Sequence, residues 1–273
     1  MKKNKIDTKH FIYAVCHLNV IAVRIKPEVT EMLITQLLFG ETCQIIEKKN
    51  KYWFKIKSSV DETIGWIQSS QIQLISDHDY KRYGDDYALT LEVCQPTFNE
   101  DISKFLVIGS RLPLYDGISC TMPDGNYVYN GLAAPAGGLD YSTELFVKVA
   151  RRYLYSPELN GGKSPFGMDA LHFVHQVFRF FAVHLPNDIS ALQKMGEAID
   201  FIEQAREGDI AFCSDDKGNI IHAGIIIGEK KVIHVNGRVR IDKIDHYGIF
   251  QKDLHKYTHK LRIIKRIFPS ETV

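Results

Sequence analysis

The 273-residue sequence contains few cysteines, no excess of one charge and no long uninterrupted hydrophobic run. Five scattered cysteines without Cys-x-x-Cys spacing argue against a disulfide framework and predict buried, reduced thiols: Cys16, Cys43, Cys94, Cys120 and Cys213. Lys and Arg number 34 against 33 Asp and Glu, so the net charge of +1 predicts no strong attraction to nucleic acid or to a membrane. With 45% hydrophobic and 25% charged residues, the composition is that of a globular protein.

The N-terminus also lacks a complete export signal. Residues 1–5 are basic, as at the start of a signal peptide, but the apolar stretch that follows is interrupted by His17 and Asn19. It contains no small-x-small cleavage site. We therefore expect a cytoplasmic protein without a membrane span, and processing of the N-terminus would instead predict an exported or periplasmic form.

The chain is longer than a typical single domain and is predicted to form two or three modules. Short strands separated by polar turns are predicted at residues 18–24, 42–47, 52–57 and 63–67. This spacing favours a small β-barrel within residues 1–84. Residues 85–138 again contain predicted strands, and we expect a second, divergent β unit there, although the sequence has no internal repeat. A linker of small residues at 133–138 leads into a third domain, residues 139–273.

The third domain is predicted to place helices before antiparallel strands, which is an α+β order. Ser142 is the expected N-cap of a helix over residues 142–155, and Asp169 that of a helix over 170–181. Two apolar runs, 208–213 and 220–228, predict a β-hairpin. A third strand follows and carries His234, twelve residues after His222. Both imidazoles can therefore face one site.

These features together resemble the NlpC-type cysteine peptidases of bacterial cell-wall turnover. The matching segments are Asp169 and Phe173, Leu185-Pro186-Asn187-Asp188, Gly208-Asp209, His222-Ala223-Gly224 and the run from His234 to Asp242. The first module resembles the bacterial SH3-like domains found ahead of some members, through Val20 to Arg24, Ile34 to Glu41 and Gly65-Trp66-Ile67. The resemblance implies two SH3-like β-barrel modules, a papain-like domain and cleavage of peptidoglycan stem peptides between γ-D-glutamate and a diamino acid.

The family's nucleophile position is occupied here by Ala170. In the family the helix begins Asp-Cys-Ser-Gly-Phe, whereas Ala170, Leu171 and His172 replace the Cys-Ser-Gly. The resemblance assigns the general base to His222 and the residue that orients it to His234. A methyl group has no electron pair with which to attack a carbonyl. Because three consecutive residues differ, natural loss of the nucleophile is favoured over an engineered Cys-to-Ala change.

Three carboxylates are candidates for substrate binding. The resemblance places Asp188 against the free amino group of the substrate's L-Ala, and Glu41 of the first module at the wall of the same pocket. Asp169 precedes the nucleophile position. Asp188 is equally suited to cap a helix that begins near Ile189. The pair Glu62-Thr63 replaces a Gly-Tyr that is frequent in the family, which weakens the expected contact from the first module.

Two other routes to hydrolysis stay open. Asp169, His172 and His175 recur every three residues and could hold a metal ion together with His222 or His234, although we expect no metal and no cofactor. A hairpin register with Ala211 opposite His222 would bring Cys213 to the same face as a relocated thiol, which we interpret as a buried structural residue.

The sequence therefore predicts a pseudoenzyme of the bacterial cell wall. We expect it to bind a short peptidoglycan-derived peptide, or a protein partner in the same groove. The alternative is an active hydrolase that uses a metal or a relocated thiol. A third possibility is a groove closed by Leu171 and His172, which are bulkier than the residues they replace.

Overall fold

The computed structural model describes residues 12–100 and 102–268. The chain divides into two compact units between Ala136 and Gly137. The first contains mainly strands, and the second places helices ahead of an antiparallel sheet. None of the helices in the described parts of the chain is long and apolar enough to cross a membrane.

A seven-stranded antiparallel sheet opens the first unit, with strand order β3-β2-β6-β5-β4-β1-β7. The strands are β1 Tyr13–Cys16, β2 Val20–Arg24, β3 Leu33–Leu38, β4 Thr42–Lys48, β5 Trp53–Ser58, β6 Ile64–Gln68 and β7 Ile72–Ile75. Alternate residues, such as Ile21, Val23 and Ile56, form the buried core. The four strands predicted in this region are confirmed.

The remainder of the first unit forms two smaller sheets after helix α1 (Asp77–Asp85). The strands are β8 Tyr87–Thr90, β9 Cys94–Phe98, β10 Ser103–Val107, β11 Arg111–Pro113, β12 Ser119–Met122, β13 Gly125–Tyr129 and β14 Ala133–Pro135. The prediction of a linker at 133–138 was wrong for its first half, which forms a strand: Ala134 pairs with Leu89 in a sheet. A second SH3-like module in this region stays a prediction.

The second unit begins with its helical part. Helix α2 (Thr143–Arg151) is followed by the short strands β15 (Lys163–Ser164) and β16 (Gly167–Met168), by α3 (Ala170–Arg179) and by α4 (Ile189–Leu192). Ser142 caps α2 as predicted, because its hydroxyl accepts a hydrogen bond from the Leu145 N–H. The helix is shorter than the predicted 142–155. Both α2 and α3 bury aromatic side chains, including Phe146, Phe173 and Phe178.

The rest of the second unit is a seven-stranded antiparallel sheet, β17-β23-β18-β19-β20-β21-β22. Its strands are β17 Glu197–Ile199, β18 Ile210–Ser214, β19 Ile220–Ile226, β20 Lys231–Asn236, β21 Arg238–Ile244, β22 Gly248–Gln251 and β23 Lys256–Arg266. Strand β22 also pairs with β23, which closes β18 to β23 into a ring of strands. The predicted hairpin and third strand are confirmed. The papain-like arrangement stays a prediction.

One face of this ring carries both predicted histidines. Residues directly opposite each other in antiparallel strands share a face. Gly224 lies opposite both Ala211 and His234, and His234 lies opposite Arg240. Ala211 belongs to an apolar cluster with Val232, Ile249 and their neighbours. The same face is therefore apolar over one part and polar around His234.

Candidate functional site

The start of helix α3 is shaped by Asp169. Its Oδ1 accepts a hydrogen bond from the Leu171 N–H (2.9 Å), and its Oδ2 accepts one from the Gly161 N–H (3.2 Å). The predicted N-cap is thus confirmed. Ala170 follows as the first helical residue and is half-buried. The positive end of the helix dipole would stabilise a thiolate at this position, but the alanine side chain offers no ionisable or nucleophilic atom.

Helix α3 is held against the strands that carry the histidines. Phe173 and Val177 are fully buried four residues apart, as are Val174 and Phe178. This spacing places them on one side of the helix. The helix packs on β19 and β20. The position of Ala170 is thereby tied to the two strands that present His222 and His234.

His222, His234 and Asp242 form a buried hydrogen-bonded chain. His222 Nε2 lies 3.0 Å from His234 Nδ1, and His234 Nε2 lies 3.0 Å from Asp242 Oδ2. Since a carboxylate only accepts, His234 donates its Nε2–H to Asp242, and in the neutral ring Nδ1 accepts from His222. This fixes the tautomer of His222 with its proton on Nε2. Its Nδ1 is left as the basic nitrogen, the state that a general base requires.

Asp242 is in turn fixed by Arg240. The guanidinium donates from Nε to Oδ2 (2.6 Å) and from Nη2 to Oδ1 (3.0 Å), and Nη2 also contacts Asp253 at 2.8 Å. Burial alone would raise the pKa of the Asp242 carboxyl. The hydrogen bonds from His234 and Arg240 outweigh burial and lower that pKa below its ordinary value. Asp242 therefore stays ionised.

Gly224 makes room for His234. A Cβ on Gly224 would lie 2.9 Å from the His234 Cβ and 2.8 Å from a methyl group of Val232. Real Cβ atoms do not approach so closely, so a larger residue would push His234 away from its partners. The glycine of the His222-Ala223-Gly224 motif thus has a steric role.

A third imidazole, His259 of β23, completes the cluster and was missed by the sequence analysis. Its ring stacks on that of His222, with centroids 3.9 Å apart and planes 25° from parallel. Burial, followed by the neighbouring His259 and His234, lowers the pKa of His222 well below its usual value. Burial, followed by His234, lowers the pKa of His259 to about 4. Both rings are therefore neutral near pH 7.

The histidine cluster is also the place where the structure could hold a metal ion. One ligand atom from each of His222, His234 and His259 lies within 4.8 Å of the other two. The alternative set left open from helical spacing, with Asp169, His172 and His175, is not the one brought together among the described residues. Of that set, the structure does pair His172 Nδ1 with an Asp169 oxygen at 3.9 Å. The available signal for His259 is its alternation with Leu261 in the sequence, which is typical of a strand and places both side chains on one face.

The relocated thiol is not supported. Cys213 is fully buried, and burial raises the pKa of its thiol to about 12. The assumed register was wrong, because Cys213 itself lies opposite His222 and Ala211 lies opposite Gly224. Cys213 still lies on the same face as His222, as predicted. The thiol therefore stays protonated near pH 7, which is the unreactive form of a cysteine.

The two remaining candidate carboxylates have structural partners. Asp188 is exposed and caps α4, accepting hydrogen bonds from the N–H groups of Ser190 (3.2 Å) and Ala191 (3.1 Å). Glu41 is fully buried, and its Oε2 accepts from the Leu38 N–H at 3.0 Å. Their roles in substrate binding stay predictions.

Comparison with known families gives matches in both units. Residues 155–259 match the NlpC/P60 family, and residues 23–72 match the bacterial dipeptidyl-peptidase Sh3 domain. The chain is 24% identical over 230 residues to a gamma-D-glutamyl-L-lysine dipeptidyl-peptidase of Bacillus cereus, covering 74% of this chain and 67% of that protein. A protein of the same name from Bacillus subtilis is 27% identical over 110 residues, covering 40% of this chain and 37% of that protein.

Solved structures share the fold. An NlpC/P60 family protein from Bacillus cereus superposes with a TM-score of 0.79 at 18% identity, over 94% of this chain and all (100%) of that one. An NlpC/P60 endopeptidase from Photobacterium damselae subsp. piscicida superposes with a TM-score of 0.69 at 16% identity, over 88% of this chain and 68% of that one.

Proposed function

Because this chain carries an NlpC/P60 domain together with a bacterial SH3 domain, we propose that it binds a peptidoglycan stem peptide and has lost cysteine-peptidase activity. The observation that carries the proposal is Ala170, which occupies the first position of helix α3. A peptidase of this kind needs an electron pair there to attack the peptide carbonyl. Alanine supplies none.

The rest of the proton-handling machinery supports descent from an active site. His222, His234 and Asp242 keep the hydrogen-bonded order of a base, an orienting residue and a carboxylate, with separations of 3.0 Å at each step. With alanine at position 170, the first turn of α3 offers His222 no thiol proton to remove. The Nδ1 atom of His222 is left as a hydrogen-bond acceptor for a peptide N–H.

The ligand is proposed from the curated relatives, which are named for γ-D-glutamyl-L-lysine peptides. Such a peptide has a free amino terminus and free carboxylates. Asp188 is exposed at the start of α4 and could pair with the amino group without leaving its capping position, because a carboxylate accepts several hydrogen bonds. For so small a ligand, affinity in the range of roughly micromolar to millimolar is expected.

Calorimetry with the tripeptide L-Ala-γ-D-Glu-L-Lys tests the proposal. The unmodified chain should bind it without cleaving it, and the variant Asp188→Asn should bind at least about tenfold more weakly, an affinity change of about 1.4 kcal/mol. The matched control is Asp216→Asn, an exposed aspartate in the turn between β18 and β19. Absence of binding at millimolar peptide, or cleavage of the γ-D-Glu–L-Lys bond, would overturn the proposal.

A further inference from the structure

We propose that His222, His234 and His259 bind a divalent transition-metal ion of the zinc class. Each of the three side chains has one ligand atom that lies within 4.8 Å of those of the other two. Two of the three residues are buried and the third is half-buried. This inference does not depend on peptide binding, because it uses only the histidine cluster.

The spacing is close to that of a metal site. A tetrahedral zinc ion with Zn–N bonds of about 2.0–2.1 Å holds its ligand nitrogens roughly 3.3 Å apart. His222 and His234 already have ring nitrogens 3.0 Å apart. His259 must tilt out of its stacked position on His222, since parallel rings do not aim their in-plane electron pairs at one point. A ring shift of about 1–1.5 Å suffices to close the set.

The surroundings of His234 are those of a metal ligand. A metal-bound imidazole usually donates its second N–H to a carboxylate, which fixes the tautomer and makes the ring a better ligand. His234 Nε2 has this partner in Asp242, and Arg240 fixes the carboxylate in turn. Nδ1 of His234 is thereby left without a proton, ready for a metal. On binding, the His222 proton moves from Nε2 to Nδ1, so no proton need be released.

The charge balance near the cluster also favours a cation. Asp242 and Asp253 carry two negative charges around the single positive charge of Arg240. The three imidazoles add no positive charge in their neutral form. A dication therefore binds beside a group of paired side chains that carries one more negative than positive charge.

The ligand set selects the ion. Imidazole nitrogens suit zinc, copper, nickel and cobalt, whereas calcium and magnesium require oxygen ligands that this cluster does not provide. Three protein ligands leave the fourth tetrahedral position to a water molecule. Among these ions we commit to zinc, which has no geometric preference that would oppose the histidine arrangement.

The position of His259 depends on a close approach of β22 to β23. A Cβ on Gly248 would overlap the carbonyl oxygen of His259, and Gly248 has a φ of 145°, which favours glycine. Gly248 therefore lets the two strands pair beside His259, as the pairing of Ile249 with His259 requires. The third ligand is thus held by the strand pairing that closes the ring.

Calorimetric titration of the metal-free full chain with zinc chloride tests the proposal. We expect one zinc ion per chain, a raised thermal midpoint, and at least a tenfold loss of affinity in His259→Ala. His184→Ala removes an exposed histidine of the same unit and should bind as the unmodified chain does. Asp242→Asn should weaken binding by about 10–100-fold through His234.

A second measurement separates loss of the site from loss of the fold. Cobalt(II) substituted for zinc should give visible absorption bands of tetrahedral intensity in the unmodified chain and in His184→Ala, and not in His259→Ala. Circular dichroism must show that His259→Ala is folded. If His259→Ala is folded and keeps the full affinity for zinc, or if the unmodified chain binds no zinc, the proposal is overturned.

Discussion

The Nε2 atom of His234 lies 3.0 Å from Oδ2 of Asp242, and this contact orders the whole histidine cluster. It fixes a proton of His234 on Nε2, so that in the neutral ring Nδ1 accepts from His222. A single carboxylate therefore determines the tautomers of two rings. Asp242 is itself 4% exposed in its side chain, so its charge depends on its partners.

Removal of the Asp242 charge should strongly destabilise the second unit. Asp242→Asn leaves Arg240 facing a neutral amide in a buried site, and we expect a loss of about 3 kcal/mol in the free energy of unfolding. Urea denaturation measures it. The matched control is Asp253→Asn, which removes the exposed partner of the same guanidinium and should cost less than about 1 kcal/mol. Equal effects of the two variants would contradict this assignment.

The metal-free protein should lose stability as the pH falls from about 6.5 toward 4. The folded-state pKa of His259 is about 4, and that of His222 is also lowered, while the value for an unstructured histidine is 6.5. The unfolded chain then binds more protons, so the stabilising contribution is complete above pH 6.5 and decreases with acidification. Urea unfolding is measured between pH 7.5 and 5, where the histidines titrate and most carboxyl groups do not. His259→Gln should have a shallower dependence; an unchanged slope would contradict the prediction.

Thiol labelling should leave Cys213 unmodified in the folded chain. Its thiol is fully buried with a pKa of about 12, whereas Cys94 is exposed. A thiol reagent at pH 8 followed by peptide mass spectrometry should find label on Cys94. In Cys94→Ser the fast labelling should disappear, and unfolding in urea should restore reactivity at Cys213. Rapid modification of Cys213 in the native chain would contradict the prediction and would support Cys213 as a nucleophile.

Loss of the cap on α3 should cost a moderate amount of stability. Asp169→Ala removes the acceptor for the Leu171 and Gly161 N–H groups, and about 1–2 kcal/mol is expected. Asp169→Asn keeps an acceptor oxygen and should recover most of that loss. Thermal or urea unfolding distinguishes the two variants. If both variants lose the same amount, the carboxylate charge, rather than capping, would be the dominant contribution.

Local features of the site were predictable from sequence. The cap at Asp169 and the strands bearing His222 and His234 depend on short-range patterns, namely a polar residue before an apolar helix and apolar runs around a turn. The side chains then meet because neighbouring strands are antiparallel.

Nonlocal features were not predictable. His259 reaches the cluster because β23 pairs with β18 on one side and with β22 on the other, with a register shift in each pairing. The predicted register between β18 and β19 was wrong. It depends on the alignment of the whole hairpin, which has an irregularity after Cys213. Irregular strand pairing leaves no periodic signature in the sequence. Asp242 belongs to the family-like run from His234 to Asp242 in the sequence. Its contact with His234 could not be predicted, because it depends on the register between β20 and β21.

The central claim is that Ala170 abolishes peptide cleavage while the hydrogen-bonded chain of His222, His234 and Asp242 persists. Restoring a cysteine at position 170 tests this claim most directly. Metal-free unmodified chain and the triple variant Ala170→Cys/Leu171→Ser/His172→Gly are incubated with L-Ala-γ-D-Glu-L-Lys, and released lysine is measured by mass spectrometry. The double variant Leu171→Ser/His172→Gly, which keeps Ala170, is the control. We predict release by the triple variant alone. Release of lysine by the unmodified chain at a comparable rate would contradict the account.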